Sequence, residues 1–155
     1  EFQALLEEDY KSKWINVTQS KPKLRTYIQI KSCFESENYV KYLNNRSERS
    51  IMAQFRSGIL PLEIETGRYR NIKVEDRFCF YCKTLIETEL HFALICPLYN
   101  EARQGLLNEA TSSYNMFENL DNMQKLNVLL NVFWRETSKF LHKAWYIRND
   151  LICQN

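Results

Sequence analysis

Apolar side chains recur every three or four positions along most of this chain, a rhythm that predicts helices rather than strands. Residues 2–17 place Phe2, Leu5, Leu6, Tyr10 and Trp14 at helical spacing. The stretch from Gln19 to Leu24 breaks the pattern, since Pro22 biases the residue before it away from helix. Residues 24–34 fit helix and strand equally. Short helices are predicted over 36–43, with Ser36 as N-cap, and over 47–58, where Ile51, Met52, Phe55 and Ile59 share a face. Leu60–Gly67 departs from the rhythm. There Leu62 and Ile64 alternate with Glu63 and Glu65, which predicts a short extended segment with Gly67 as the turn residue. Pro97 suits the first turn of a helix reaching about residue 110, and 111–115 reads as a loop. Residues 119–131 and 132–152 form one interrupted helix or two successive ones. Leu126, Leu130, Phe133, Phe140, Leu141, Ala144, Ile147 and Leu151 line their common face, and the region's Trp134 and Trp145 are assigned to the core.

Composition agrees with helices. Three glycines and three prolines in 155 residues are too few for the turns of a multi-stranded sandwich or barrel. A 45% hydrophobic content argues against disorder, and the length suits one domain with a real core.

The net charge of +2 conceals an uneven distribution. Residues 21–77 carry twelve basic against seven acidic side chains, whereas 78–155 carry seven against eight. The basic excess therefore precedes the cysteine cluster described next, and a local positive field favours polyanions. No apolar run is long enough for a membrane span, and the first residues lack the pattern of a signal peptide. The glycosylation-like triplets at Asn16 and Asn45 are then read as chance.

Three of the five cysteines crowd into residues 79–96 beside a histidine. The spacing is Cys79-Phe-Tyr-Cys82, eight residues, His91, four residues, Cys96. Two cysteines separated by two residues can turn both sulfurs to one point, and a histidine and third cysteine complete a closed tetrahedron. Thiolate-rich ligation selects Zn2+ over magnesium or calcium, and a closed site organises rather than reacts. His91 and Cys96 would diverge on a continuous helix, and Pro97 is expected to push Cys96 into an extended conformation that returns its sulfur to the metal. Such a cluster suits a reducing, intracellular setting, nuclear or cytoplasmic, better than a disulfide framework. Cys33 and Cys153 are read as ordinary thiols, and His142 as solvent-facing. The expected fold is mainly α, a helical domain with a small inserted CCHC zinc knuckle. Residues 1–66 form a helical segment with a basic face, 67–100 the knuckle module, and 101–155 C-terminal helices packing on the same domain.

Arg68, Tyr69, Arg70, Lys73 and Arg77 lie ahead of the knuckle, and Phe78, Phe80 and Tyr81 in or beside it. Exposed aromatics can stack on unpaired bases while cations hold the backbone. Arg68, Tyr69, Arg70, Lys73, Arg77, Phe80 and Tyr81 are therefore the candidate nucleic-acid contacts, with at least one of the three aromatics packing beneath the metal loop. Arg25, Lys31, Lys41, Arg46, Arg49 and Arg56 could extend the track. Glu63, Glu65, Glu75, Asp76, Glu87 and Glu89 alternate with apolar residues, as on a solvated face, which disfavours a magnesium site.

Several runs together carry a family resemblance: Pro22-Lys-Leu-Arg-Thr-Tyr27, Phe55-Arg-Ser-Gly-Ile-Leu-Pro-Leu-Glu-Ile-Glu-Thr-Gly-Arg-Tyr69, Arg77 with Cys-x2-Cys, and Ile86-Glu-Thr-Glu-Leu-His-Phe-Ala-Leu-Ile-Cys-Pro-Leu-Tyr99 with Arg103. Residues 22–103 resemble the C-terminal region of non-long-terminal-repeat (LINE-type) retrotransposon reverse transcriptases, which ends in a Cys-Cys-His-Cys knuckle. The Glu-x-Glu-x-His-Phe…Cys-Pro run is its most specific part. The resemblance implies metal ligation by Cys79, Cys82, His91 and Cys96, and contacts from the surrounding cations to template RNA or target DNA. The gap of eight residues between Cys82 and His91 departs from the retroviral knuckle, so retroviral contacts do not carry over. Neither a polymerase Tyr-x-Asp-Asp nor the paired nuclease motifs occur, so this region is expected to be non-catalytic. The resemblance implies as partners RNA, DNA and the remainder of a reverse-transcriptase polyprotein. The alternative is a zinc-stabilised protein-interaction or scaffolding module derived from such an element, with a protein partner.

Overall fold

A computed structural model describes residues 2–31 and 33–154, apart from the side chain of Phe2. That side chain, assigned above to the first helix face, lies outside the described residues. The chain is mainly α. Its helices are α1 (Phe2–Ser20), α2 (Arg25–Ile30), α3 (Asn38–Tyr42), α4 (Arg46–Arg56), α5 (Glu63–Tyr69), α6 (Asn100–Ser113), α7 (Asn122–Asn131) and α8 (Trp134–Cys153). Among the described residues extended pairing is confined to one bridge, between Phe78 and Ile86.

α8 organises the core. α4, α6 and α7 all pack on it, and α2 packs on α7. Met52 and Phe55 of α4, Leu126 and Leu130 of α7, and Phe140, Leu141 and Ala144 of α8 are buried together. Each large apolar side chain removed from water in this way contributes about 1.5–3 kcal/mol. The start of α4 is fixed by Asn45, whose side-chain oxygen accepts from the Ser47 and Glu48 amides at 3.0 and 3.2 Å. α7 begins with a reciprocal cap between Asp121 and Gln124.

The structure revises the sequence reading in several places. Residues 63–69 form α5 instead of an extended segment. The period-two pattern misled because the glutamates at its odd positions are not equally solvated. Glu65 is buried against Lys23 and Arg68, so Ile64 and Glu65 both face inward from adjacent helical positions. Gly67 is a helical residue whose bare Cα admits the stem of Arg77; a Cβ there would lie 2.7 Å from Arg77 Cγ. The third helix takes its cap from Glu37, one residue after Ser36. α6 continues through Ser113, absorbing part of the expected loop. Ile59 is exposed and Leu60 is buried in its place, because the chain leaves the helix at Gly58.

Gly58 has φ +68°, the left-handed conformation in which only glycine escapes a Cβ penalty. A Cβ added there would sit 2.1 Å from the Lys23 carbonyl oxygen. Gly58→Ala should therefore cost more than the ~1–2 kcal/mol of left-handed strain alone, because the backbone before α2 must also move. A chemical-denaturation midpoint within error of the parent's would refute this.

Candidate metal centre

The bridge between Phe78 and Ile86 closes a tight loop that presents two sulfurs. The Cys79 amide donates to the Leu85 carbonyl at 2.8 Å, and the Lys83 amide donates to the Cys79 carbonyl at 2.9 Å. Lys83 takes a left-handed φ of 54°, turning the following backbone towards Cys82. The amides of Thr84 and Leu85 then hydrogen-bond the Cys82 sulfur, those of Tyr81 and Cys82 reach Cys79, and that of Leu98 reaches Cys96. Backbone donors aimed at sulfur stabilise thiolates over thiols.

The opposite wall is a single π-helical turn, His91–Ile95, sealed by the Cys96 amide donating to the His91 carbonyl at 2.8 Å. On an α-helix, residues five apart point about 140° away from each other. A π turn closes after five residues and brings them back towards register. Cys96 itself is extended, with φ −58° and ψ 125°, ahead of Pro97. The proline effect expected from the sequence is therefore present, and the π turn supplies the rest. Thr88 caps this segment by accepting from the His91 amide at 3.1 Å.

Cys79, Cys82, His91 and Cys96 consequently converge, with one ligand atom from each lying within 4.8 Å of all the others. Cys79 Sγ and Cys96 Sγ are 3.8 Å apart, and Cys82 Sγ and His91 Nε2 are 3.5 Å apart. Cys79, His91 and Cys96 are buried and Cys82 is half-buried. This cluster could hold a metal ion. The hydrogen bond with Cys96 and burial push the Cys79 thiol up to about 12, and the same bond holds Cys96 below the ordinary thiol range. Burial opposes charge on His91, yet its bond to Cys79 and the nearby sulfurs hold the imidazole above its usual value. Among the described residues Cys33 and Cys153 stand apart as exposed free thiols, and His142 joins no metal-type cluster.

Two glutamates just ahead of His91 anchor the centre to the helices on either side. Glu87 is fully buried and receives both the Nε and Nη2 groups of Arg148 in α8, at 2.9 and 2.7 Å. It also accepts from the Glu63 amide at 2.7 Å. Glu89, equally buried, receives Arg25 and, at 3.0 Å, the Thr26 hydroxyl of α2. Both glutamates were read from the sequence as solvated. The signal that marked them otherwise was their position, two and four residues before the histidine ligand in an apolar run. Phe92, the residue after His91, has no solvent exposure and packs against Phe55, Tyr99 and Trp145, with ring centroids 6.2, 4.6 and 6.5 Å away.

The candidate nucleic-acid contacts have varied surroundings. Tyr69 is 71% exposed, with the cationic groups of Lys23 and Arg68 lying 5.9 and 5.1 Å from its ring centroid. Arg68 pairs with Glu65, Arg70 with Glu63, and Lys73 is exposed. Arg77 is half-buried and donates to the Ile64 and Ile72 carbonyls at 2.7 and 3.0 Å. Phe80 is half-buried with the Arg148 guanidinium over its ring, whereas Phe78 and Tyr81 are exposed. Of the cations expected to extend the track, Arg25 is committed to Glu89, Lys31 and Arg56 to Glu37, and Arg49 to the Leu43 carbonyl. Lys41 and Arg46 are exposed. Internal pairing thus uses much of the basic excess.

No protein-family model matches the chain, and no curated protein or solved structure is significantly similar to it. Among the described residues no helix is long and apolar enough to cross a membrane.

Proposed function

We propose that the centre holds a structural zinc ion and that the chain is a non-catalytic, nucleic-acid-binding domain of a retrotransposon reverse-transcriptase-like protein, acting on template RNA, target DNA or both. The observation that carries the zinc reading is the donor geometry. Thiolates bind zinc at about 2.3 Å and imidazole at about 2.0–2.1 Å, so a tetrahedron has sulfur–sulfur edges of about 3.8 Å and sulfur–nitrogen edges of about 3.6 Å. Two of the donor separations, 3.8 and 3.5 Å, match these edges, and all four donors lie within 4.8 Å of one another. Four protein donors complete the shell and leave no position for substrate, so zinc here supplies rigidity. The inward commitment of Glu65, Glu87 and Glu89 to cations supports binding over metal-dependent cleavage.

Support for nucleic acid comes from the knuckle's surface, where Tyr81, Phe78 and Tyr69 are exposed and Lys73 and Lys83 are solvated. Aromatic faces with nearby cations suit single strands better than duplexes. Anisotropy titrations with labelled single-stranded RNA and DNA at two salt concentrations test the reading. Tyr81→Ala is expected to weaken binding by about 1–3 kcal/mol, as for the loss of one stacked base. Binding should also weaken with salt. Salt-independent affinity, or a Tyr81→Ala variant that binds like the parent, would sink it.

A further inference from the structure

Resting on the zinc reading above, we propose that Arg103 is the counter-ion of the metal centre, balancing a site whose three thiolates outweigh a divalent cation by one negative charge.

The buried arginines are unevenly partnered. Arg56, Arg103 and Arg148 are the buried arginines of the described residues. Arg56 reaches Glu37 and Arg148 reaches Glu87. Arg103 is only 3% exposed, yet no carboxylate lies within ion-pair distance of it among the described residues. Its one hydrogen bond runs from Nη2 to the carbonyl oxygen of Cys96, and its Nε is buried without a partner. A buried guanidinium without an anion is costly, and proteins rarely tolerate one.

The Cys96 carbonyl places this cation at the backbone of a metal ligand. Three thiolates, a neutral imidazole and one divalent ion sum to a single negative charge, which is the charge that Arg103 lacks. The other buried arginines, Arg56 and Arg148, already reach glutamates, which leaves Arg103 as the buried arginine without a carboxylate among the described residues. Such an arrangement would hold the thiolates deprotonated and slow loss of the metal. Groups outside the ligand set tune metal affinity in this way.

Competition with a chromophoric chelator, using zinc alone as the probe, measures the affinity. Arg103→Met is expected to weaken zinc binding by about 10- to 100-fold, and Arg103→Lys, which keeps the charge, to recover part of that loss. The decisive comparison uses Cys82→His, which changes one thiolate for a neutral imidazole and removes the net charge. In that background Arg103→Met should leave zinc affinity within a few fold. Equal losses in both backgrounds would reduce Arg103 to a packing residue and overturn the inference, as would an Arg103→Met protein that binds zinc like the parent. If Arg103→Met does not fold, the same comparison runs with Arg103→Gln, which also removes the charge. A parent chain that takes up no zinc would instead overturn the metal reading itself.

Discussion

Stripping the proposed zinc ion from the protein with a strong chelator should unfold the domain as one unit. A helical core independent of the metal loop would give a milder result, with residues 67–100 melting and the surrounding helices persisting. Phe92 changes that expectation. It follows the histidine ligand directly and sits between Phe55 of α4, Tyr99, and Trp145 of α8. The π turn cannot open without withdrawing this ring from the core. Structural zinc supplies about 10–16 kcal/mol of apparent binding energy in small modules, comparable to the ~5–15 kcal/mol that holds a whole domain together. Far-UV circular dichroism should therefore show loss of most helix on chelation, and zinc should restore it. Retention of the α4, α7 and α8 signals with only local change around residues 67–100 would refute the single-unit expectation. The process should also depend on pH. The three cysteines must lose their protons to bind a metal as thiolates. Zinc affinity is thus expected to rise with pH and to weaken on acidification.

Arg148→Ala should destabilise the protein by about 3–5 kcal/mol, the usual result of leaving one member of a buried ion pair alone. Burial works against the Arg148 charge, and the two-point bond to Glu87 restores it and raises the guanidinium above its ordinary value. Removing the arginine strands Glu87, which is completely buried and also holds the Glu63 amide at the start of α5. Arg148→Lys should recover little, since an ammonium cannot make the paired contact. The double variant Arg148→Met with Glu87→Gln should be more stable than Arg148→Ala, because no charge is left buried alone. Denaturant unfolding of the three variants gives the ordering. A loss below ~1 kcal/mol for Arg148→Ala would mean that the carboxylate finds water.

The helical class was legible because apolar periodicity is a local property, and so was the group of side chains that could hold a metal. Cysteines two apart, with a histidine and a cysteine before proline, restrict what a backbone can do with its sulfurs. Residues 60–67 show where local reasoning failed. Glu63 and Glu65 look alike in sequence, yet Glu65 is buried because Lys23 and Arg68 arrive to neutralise it. Several cations of the expected basic track are engaged internally for the same reason: Arg25 and Arg56 meet carboxylates distant in sequence. Apart from Arg68, these partners lie outside a ten-residue window: Lys23 for Glu65, Glu89 for Arg25 and Glu37 for Arg56.

The sequence by itself determined that the chain is helical and that Cys79, Cys82, His91 and Cys96 can share one ion, since periodicity and ligand spacing act over a few residues. Only the tertiary structure decided how that centre is held. Charge pairing joins groups as distant as Glu87 and Arg148, and the π turn carries Phe92 against Phe55, Tyr99 and Trp145, so neither could be read from neighbours along the chain.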